Sequence, residues 1–237
     1  MDDTWLHRVS GPLKRLLPRS VWRGLRGVAT GVFMPFRFAW QSGHFRSSLK
    51  AAAVDRFGRP IPWYTYPAVQ FLQARDFKGK TVLEFGAGNS TVWWGGTGAD
   101  VISLEGYPDW YRKLKDRLPP NVRLELVSVA SRSDCEASVR ALLTEIGMRF
   151  DIVIVDGLYR EQMAEIAMEW VKEDGLIVGD DSESYSLFEI LKGHGFSRVD
   201  FYGQAPGVIL PRCTSIWFAN GSWLFDPQWP IRRIYKA

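Results

Sequence analysis

The segment Val82-Leu-Glu-Phe-Gly-Ala-Gly-Asn-Ser-Thr91 decides how the rest of the chain is read. The apolar run from Thr81 to Phe85 reads as a buried strand, broken at once by Gly86 and Gly88. Two glycines let the backbone turn sharply and pass close to a ligand, where a Cβ would collide. A strand ending in such a turn hands over to a helix whose first N–H groups point into the crevice at the strand's carboxyl end. This turn is therefore expected to floor a binding site.

Outward from it, strand and helix signals alternate. Strands are predicted at 80–85, 100–104, 122–127, 150–155, 175–179, 197–202 and 214–219, with helices at about 91–96, 108–117, 134–147, 159–172 and 184–193. Such alternation makes a mostly parallel sheet covered on both faces. Between the sixth and seventh strands lies only the loop Gly203 to Arg212, too short for a right-handed crossover, so the last strand is expected to insert antiparallel. The predicted fold is α/β, a Rossmann-like seven-stranded sheet with an N-terminal helical extension. Asp151 is expected to start its strand exposed. Gly58 to Pro67 holds three prolines, is read as irregular, and leads into a helix from Pro67 to about Ala74.

Composition sets the frame. The 237 residues suit one domain plus an appendage, and 46% apolar with 24% charged content is ordinary for a globular chain. No secretory signal is legible, and no apolar run reaches the ~18 residues of a spanning helix. Cys135 and Cys213 lack metal-ligand spacing, which predicts a reducing compartment and a cytoplasmic protein. Charge is divided unevenly. Residues 1–60 carry 11 Lys or Arg against 3 Asp, whereas residues 61–237 carry 19 basic against 23 acidic. The boundary is placed between a basic extension, 1–57, and a catalytic domain, 58–237. In the extension, Leu13, Leu16, Leu17, Val21, Trp22 and Leu25 interleave with arginines, while Pro12, Pro18 and Pro35 are expected to cut it into short helices. Two readings stand: a helical cover packed on the domain, or peripheral contact of residues 1–45 with the inner face of an anionic membrane. The acidic catalytic domain argues against nucleic acid.

The turn departs from two phosphate-binding fingerprints. The third glycine of the dinucleotide fingerprint is replaced by Thr91, and no Gly-Lys-Ser/Thr follows for a P-loop. Glu84, two residues before Gly86, repels a pyrophosphate and suits a cationic ligand. Glu84, Gly86, Ala87, Gly88 and Ser90 together resemble the acidic-x-Gly-x-Gly motif of class I S-adenosylmethionine-dependent methyltransferases. Over residues 60–219 the order of motifs is similar to that superfamily. The resemblance implies that Glu84 faces the amino group of the methionine moiety and that the glycines make room for the amino-acid and ribose portions. Glu105 closes the second strand and is placed to accept both ribose hydroxyls, with Gly106 and Tyr107 expected to border the adenine. Tyr64, Thr65 and Tyr66 are candidates to reach the cofactor carboxylate, or else pack the loop over the sheet.

Asp156 ends the fourth strand, and Asp180 and Asp181 follow the fifth. Three carboxylates at adjacent strand ends can hold Mg²⁺. This is similar to the metal-dependent O-methyltransferases acting on catechols and sugars, and the resemblance implies that the metal would bind two acceptor oxygens. The competing reading makes Asp180 or Asp181 a helix cap. The expected activity is methyl transfer to a hydroxyl of a small molecule or sugar, with Asp156 and Asp180 catalytic. The alternatives are an NAD-dependent sugar-modifying oxidoreductase and a non-catalytic cofactor-binding protein.

Overall fold

The computed structural model describes residues 14–15, 17–157, 159–192 and 194–225. Seven strands form one sheet: β1 (Thr81–Phe85), β2 (Asp100–Glu105), β3 (Val122–Leu126), β4 (Phe150–Val155), β5 (Val171–Gly179), β6 (Phe196–Gly203) and β7 (Arg212–Ala219). Their order is β3-β2-β1-β4-β5-β7-β6. The pairs among β1 to β5 are parallel, and β7 lies antiparallel between β5 and β6. The antiparallel last strand follows from the short Gly203–Arg212 connection, as expected. Because the chain runs outward from β1 through β2 to β3, then returns to β4, the topological switch point falls between β1 and β4.

The helices downstream of the extension are α3 (Tyr66–Gln73), α4 (Asn89–Gly96), α5 (Pro108–Lys115), α6 (Arg132–Ile146), α7 (Arg160–Trp170) and α8 (Leu187–Leu191). One face of the sheet is packed by Val139, Leu143, Met163, Ile166 and Leu191 against Leu83, Phe85 and Val153. The other carries Ala68, Leu72 and Trp94 against Val82, Ile152 and Ile154. Strands buried on both faces read as continuous apolar runs, and all six residues of β4 are buried. Helix α6 starts two residues before its expected position because the Ser131 hydroxyl accepts the Asp134 N–H at 3.1 Å, an N-cap. Helix α7 passes directly into β5, which begins at Val171 rather than 175, since Val171 is buried and pairs with Phe150.

Asp151 corrects its expectation. It is buried, and its carboxylate accepts from the Thr81 N–H and hydroxyl at 2.9 Å and from Lys172 at 2.9 Å. It ties the start of β1 to β4, and these bonds with Lys80 hold its pKa down against the effect of burial.

The extension departs most from expectation. Pro35 lies inside one helix, α1 (Arg19–Gln41), followed by α2 (His44–Lys50). A proline removes one N–H donor, and 23 residues of helix absorb that loss. No residue of α1 is buried, so it is not a cover packed on the domain. It touches the domain through Phe38, whose ring meets Tyr66 edge-on at 5.4 Å. Docking proper begins after it: Ser47 clasps Val54, donating to its carbonyl at 2.9 Å and accepting its N–H at 3.1 Å. Ala53, Ile61 and Tyr66 form a small satellite core.

Candidate active site

The carboxyl ends of the central strands are laced by backbone hydrogen bonds. The Gly86 N–H donates to Leu104 O at 2.9 Å, Asp156 N–H to Phe85 O at 3.1 Å, and Asp180 N–H to Val155 O at 3.2 Å. Gly86 has φ +97°, and a Cβ there would stand 1.8 Å from the Asp156 carbonyl oxygen. The first glycine therefore lets the turn after β1 pass close against the backbone of Asp156 and Gly157 at the end of β4. Gly88 differs: its φ of −173° is open to any residue, and a Cβ would meet only Ser90 Oγ, at 3.9 Å. Its missing side chain leaves space in the cavity. Gly106 is a packing glycine, since a Cβ would fall 2.3 Å from Val129 Cγ1.

A cavity of about 670 Å³ opens above these ends. Gly86, Ala87, Gly88, Ser90, Glu105, Gly106 and Asp156 all line it. Apolar walls come from Leu104, Val127, Val129 and Met163. The Thr91 hydroxyl accepts the Gly88 N–H at 2.8 Å and closes the start of α4.

Glu105 is 5% exposed, with Oε1 accepting the Tyr107 N–H at 2.7 Å and Oε2 the Ala87 N–H at 3.3 Å. These bonds aim the carboxylate, while burial raises its pKa and the backbone donors pull it down. Each oxygen keeps a second lone pair for a ligand hydroxyl.

Glu84 is buried beneath the turn and does not line the cavity. Its Oε2 accepts from Thr91 Oγ1 at 2.5 Å and Ser103 Oγ at 2.7 Å, while Oε1 has no hydrogen-bond partner. Burial pushes its pKa to about 7, with the hydroxyls of Ser90, Thr91 and Ser103 opposing the rise and the Asp156 charge adding to it.

The aspartates are organised by a residue that was not singled out from the sequence. Arg160 donates from Nη2 to Asp156 Oδ1 at 2.7 Å and from Nη1 to the Asp180 carbonyl at 2.7 Å, and its Nη1 lies 3.5 Å from Asp181 Oδ2. Asp181 also faces Arg212 at 3.7 Å. The Asp180 side chain is buried and accepts from Thr214 Oγ1 at 2.9 Å. Burial, then the charges of Asp156 and Asp181, push its pKa well above the carboxylate range. Asp156 is raised by burial and lowered by Arg160. Among the described residues no group of three acidic, His or Cys side chains is arranged to hold a metal. The three aspartates do not fit Mg²⁺, because a guanidinium already stands between Asp156 and Asp181 and Asp180 turns to Thr214.

The cap reading does not fit Asp180 or Asp181 either, since α8 starts at Leu187. Tyr64, Thr65 and Tyr66 are packing residues. Tyr64 is fully buried with its hydroxyl 3.4 Å from Trp94 Nε1, and the Thr65 hydroxyl donates to Phe201 O at 2.8 Å. Two lining elements lacked any sequence signal. Lys50–Val54 wall the cavity, fastened where Asn89 Nδ2 donates to Ala53 O at 2.8 Å, and Trp110 Nε1 donates to Ala87 O at 2.7 Å.

No family model and no curated protein matches this chain. Among solved structures, the precorrin-6y C5,15-methyltransferase of Geobacter metallireducens is 18% identical and superposes with a TM-score of 0.51 over 73% of this chain and 96% of its own. The Methanococcus jannaschii fibrillarin pre-rRNA processing protein is 16% identical, with a TM-score of 0.49 over 67% and 77% of the two chains. A methyltransferase-like protein of Silicibacter pomeroyi is 19% identical, with a TM-score of 0.46 over 68% and 89%. The first of these superpositions shows the fold: the chain shares the Rossmann-like α/β fold of that methyltransferase.

Proposed function

We propose that the protein is an S-adenosylmethionine-dependent methyltransferase acting on a hydroxyl of a small molecule or sugar. The observation that carries this reading is one cavity with Glu105 aimed into it by backbone donors, side-chain-free space at Gly88, and Asp156 on the β4 side. When bound, S-adenosylmethionine supplies an electrophilic methyl group on a sulfonium. Glu105 would hold the ribose hydroxyls, and the walls of Leu104, Val127 and Val129 suit the adenine. Glu84 supports the site from below rather than from the wall: it orders Thr91 and Ser103 under the turn, with one oxygen left unsatisfied.

The acceptor hydroxyl is oriented by Asp156, whose carboxylate would accept its proton as the oxygen attacks; burial raises the pKa of this group and Arg160 opposes the rise. Arg160 fixes that carboxylate with an ion pair only 11% and 20% exposed. The guanidinium supplies the positive charge at the strand ends, so Mg²⁺ has no part in this mechanism. Asp180 is a positioning residue, its backbone carbonyl holding Arg160. The working unit begins at His44, upstream of Gly58, since Lys50–Val54 wall the cavity. The net acidic charge of residues 61–237 favours a small acceptor over nucleic acid.

The test is transfer of labelled methyl from S-adenosylmethionine to a panel of hydroxyl-bearing sugars and phenols, wild type against Asp156→Asn. Labelled product lost in the variant, with cofactor affinity kept, supports the assignment. Equal rates remove Asp156 from the chemistry, and exclusive labelling of carbon or nitrogen overturns the O-methylation reading.

A further inference from the structure

Helix α1 presents an apolar face that the described residues of the domain leave uncovered. At 100° per residue, Val21, Leu25, Val28, Val32, Phe36 and Trp40 fall within an arc of about 120°. They are 47%, 52%, 68%, 51%, 63% and 71% exposed. Phe38, which meets Tyr66, lies about 140° from the centre of that arc, so the apolar face is turned away from the domain. Arg19, Arg23, Arg26 and Arg37 gather in a second arc of about 60°, with Trp22 and Trp40 on the border between the two. From Thr4 to Val54 the sequence contains no Asp or Glu.

We infer that α1 lies in the plane of an anionic phospholipid bilayer, its apolar arc among the acyl chains and its arginines at the headgroups. Helices with an apolar face, a cationic face and tryptophans at the boundary partition to this depth, drawn by apolar burial and by the negative surface potential. Four arginines in 23 residues and the helix's mean hydropathy forbid spanning, and no described helix is long and apolar enough to cross a membrane. A second copy of the chain could cover the apolar arc but would leave the arginines, turned away from such a contact, with no acidic residue on either helix to meet them, whereas anionic headgroups meet both faces at once. Exposed apolar surface continues past α1: Leu49 is 89% exposed, and Ile209 and Leu210 follow Gly207, whose backbone sits against Ser47 and Ser48 of α2. Lys50 ends α2 and begins the segment walling the cavity, so the docked helix is joined to the cavity rim by one short helix.

The test is sedimentation of the full chain with phosphatidylcholine vesicles, with and without phosphatidylglycerol. Wild type is expected to sediment with the anionic vesicles, less at high salt, and to bind the neutral ones at least several-fold more weakly. Val28→Asp with Phe36→Asp should lower binding at least roughly tenfold, given the area each side chain would bury, with an unchanged melting temperature because neither residue is buried. Replacing Arg19, Arg23 and Arg26 by Gln should abolish the preference for phosphatidylglycerol. Wild type remaining in the supernatant with anionic vesicles overturns the inference, as does full binding by the aspartate double variant. A dimer that the same double variant splits, with no vesicle binding, assigns the face to a second copy and also overturns it.

Discussion

Replacing Glu84 by glutamine separates the energetics of the floor of the site from those of its walls. Glu84 is 0% exposed and burial pushes its pKa to about 7 against an ordinary 4.5, with the hydroxyls of Ser90, Thr91 and Ser103 opposing the rise and Asp156 adding to it. A shift of that size corresponds to about 3 kcal/mol. The folded protein binds this proton more tightly than the unfolded chain does. The stability it contributes is therefore full below pH 4.5 and is lost as pH rises through about 7, where folding must bury a charge. Glutamine does not titrate. Its carbonyl can take the position of Oε2, accepting from Thr91 and Ser103, and its amide the position of the unpartnered Oε1. Asp156 and Asp180 also have raised pKa values and titrate in both proteins, so of their contribution only the part of the Asp156 shift that its coupling to Glu84 causes enters the difference. Urea denaturation at intervals from pH 4.5 to 8 should show the variant gaining on the wild type by about 3 kcal/mol across the window, whatever constant offset its packing adds. A difference that stays flat with pH would refute the reasoning, because Glu84 would then titrate normally in the fold.

The two glycines of the turn should fail in opposite ways. Gly86→Ala is expected to destabilise the protein by several kcal/mol, since φ is +97° and the Asp156 carbonyl stands where the methyl group would go. Gly88→Val should fold with nearly wild-type stability and lose S-adenosylmethionine affinity, checked by a melting curve and a binding titration on the same sample. Arg160→Met leaves Asp156 and Asp181 without the guanidinium that separates them. Its melting temperature should fall, by an amount worth about 3 kcal/mol for a partly buried pair, and should then rise with added Mg²⁺, whereas the wild type should melt alike in Mg²⁺ and in chelator.

The sheet was legible because its signals are local. Strands β1, β2, β4 and β5 are short runs, mostly apolar, ended by Gly, Asp or Glu, and the eight residues between β6 and β7 leave no room for a crossover. Glu105 and Asp156 could be placed at the cavity because strand ends on one edge of a parallel sheet converge there. What escaped depended on contacts between distant residues. The Mg²⁺ reading treated three aspartates as one constellation, whereas the fold gives Asp180 to Thr214 and sets Arg160 between the others. Glu84 was expected at the wall, but Thr91 and Ser103 hold it beneath the turn. Pro35 looked like a helix boundary on local grounds, and α1 continues through it. Lys50–Val54 carry no motif, and they wall the cavity only because Ser47 clasps Val54 and Asn89 reaches Ala53.

The central claim is that this cavity binds S-adenosylmethionine, with Glu105 on the ribose. The most direct measurement is calorimetric titration of the full chain with S-adenosylmethionine and, separately, with NAD, for wild type and Glu105→Ala. Saturable one-site binding of S-adenosylmethionine, absent with NAD and weakened at least roughly tenfold by the substitution, is the predicted result. A folded wild type that takes up no S-adenosylmethionine, or that binds NAD in its place, would contradict the account.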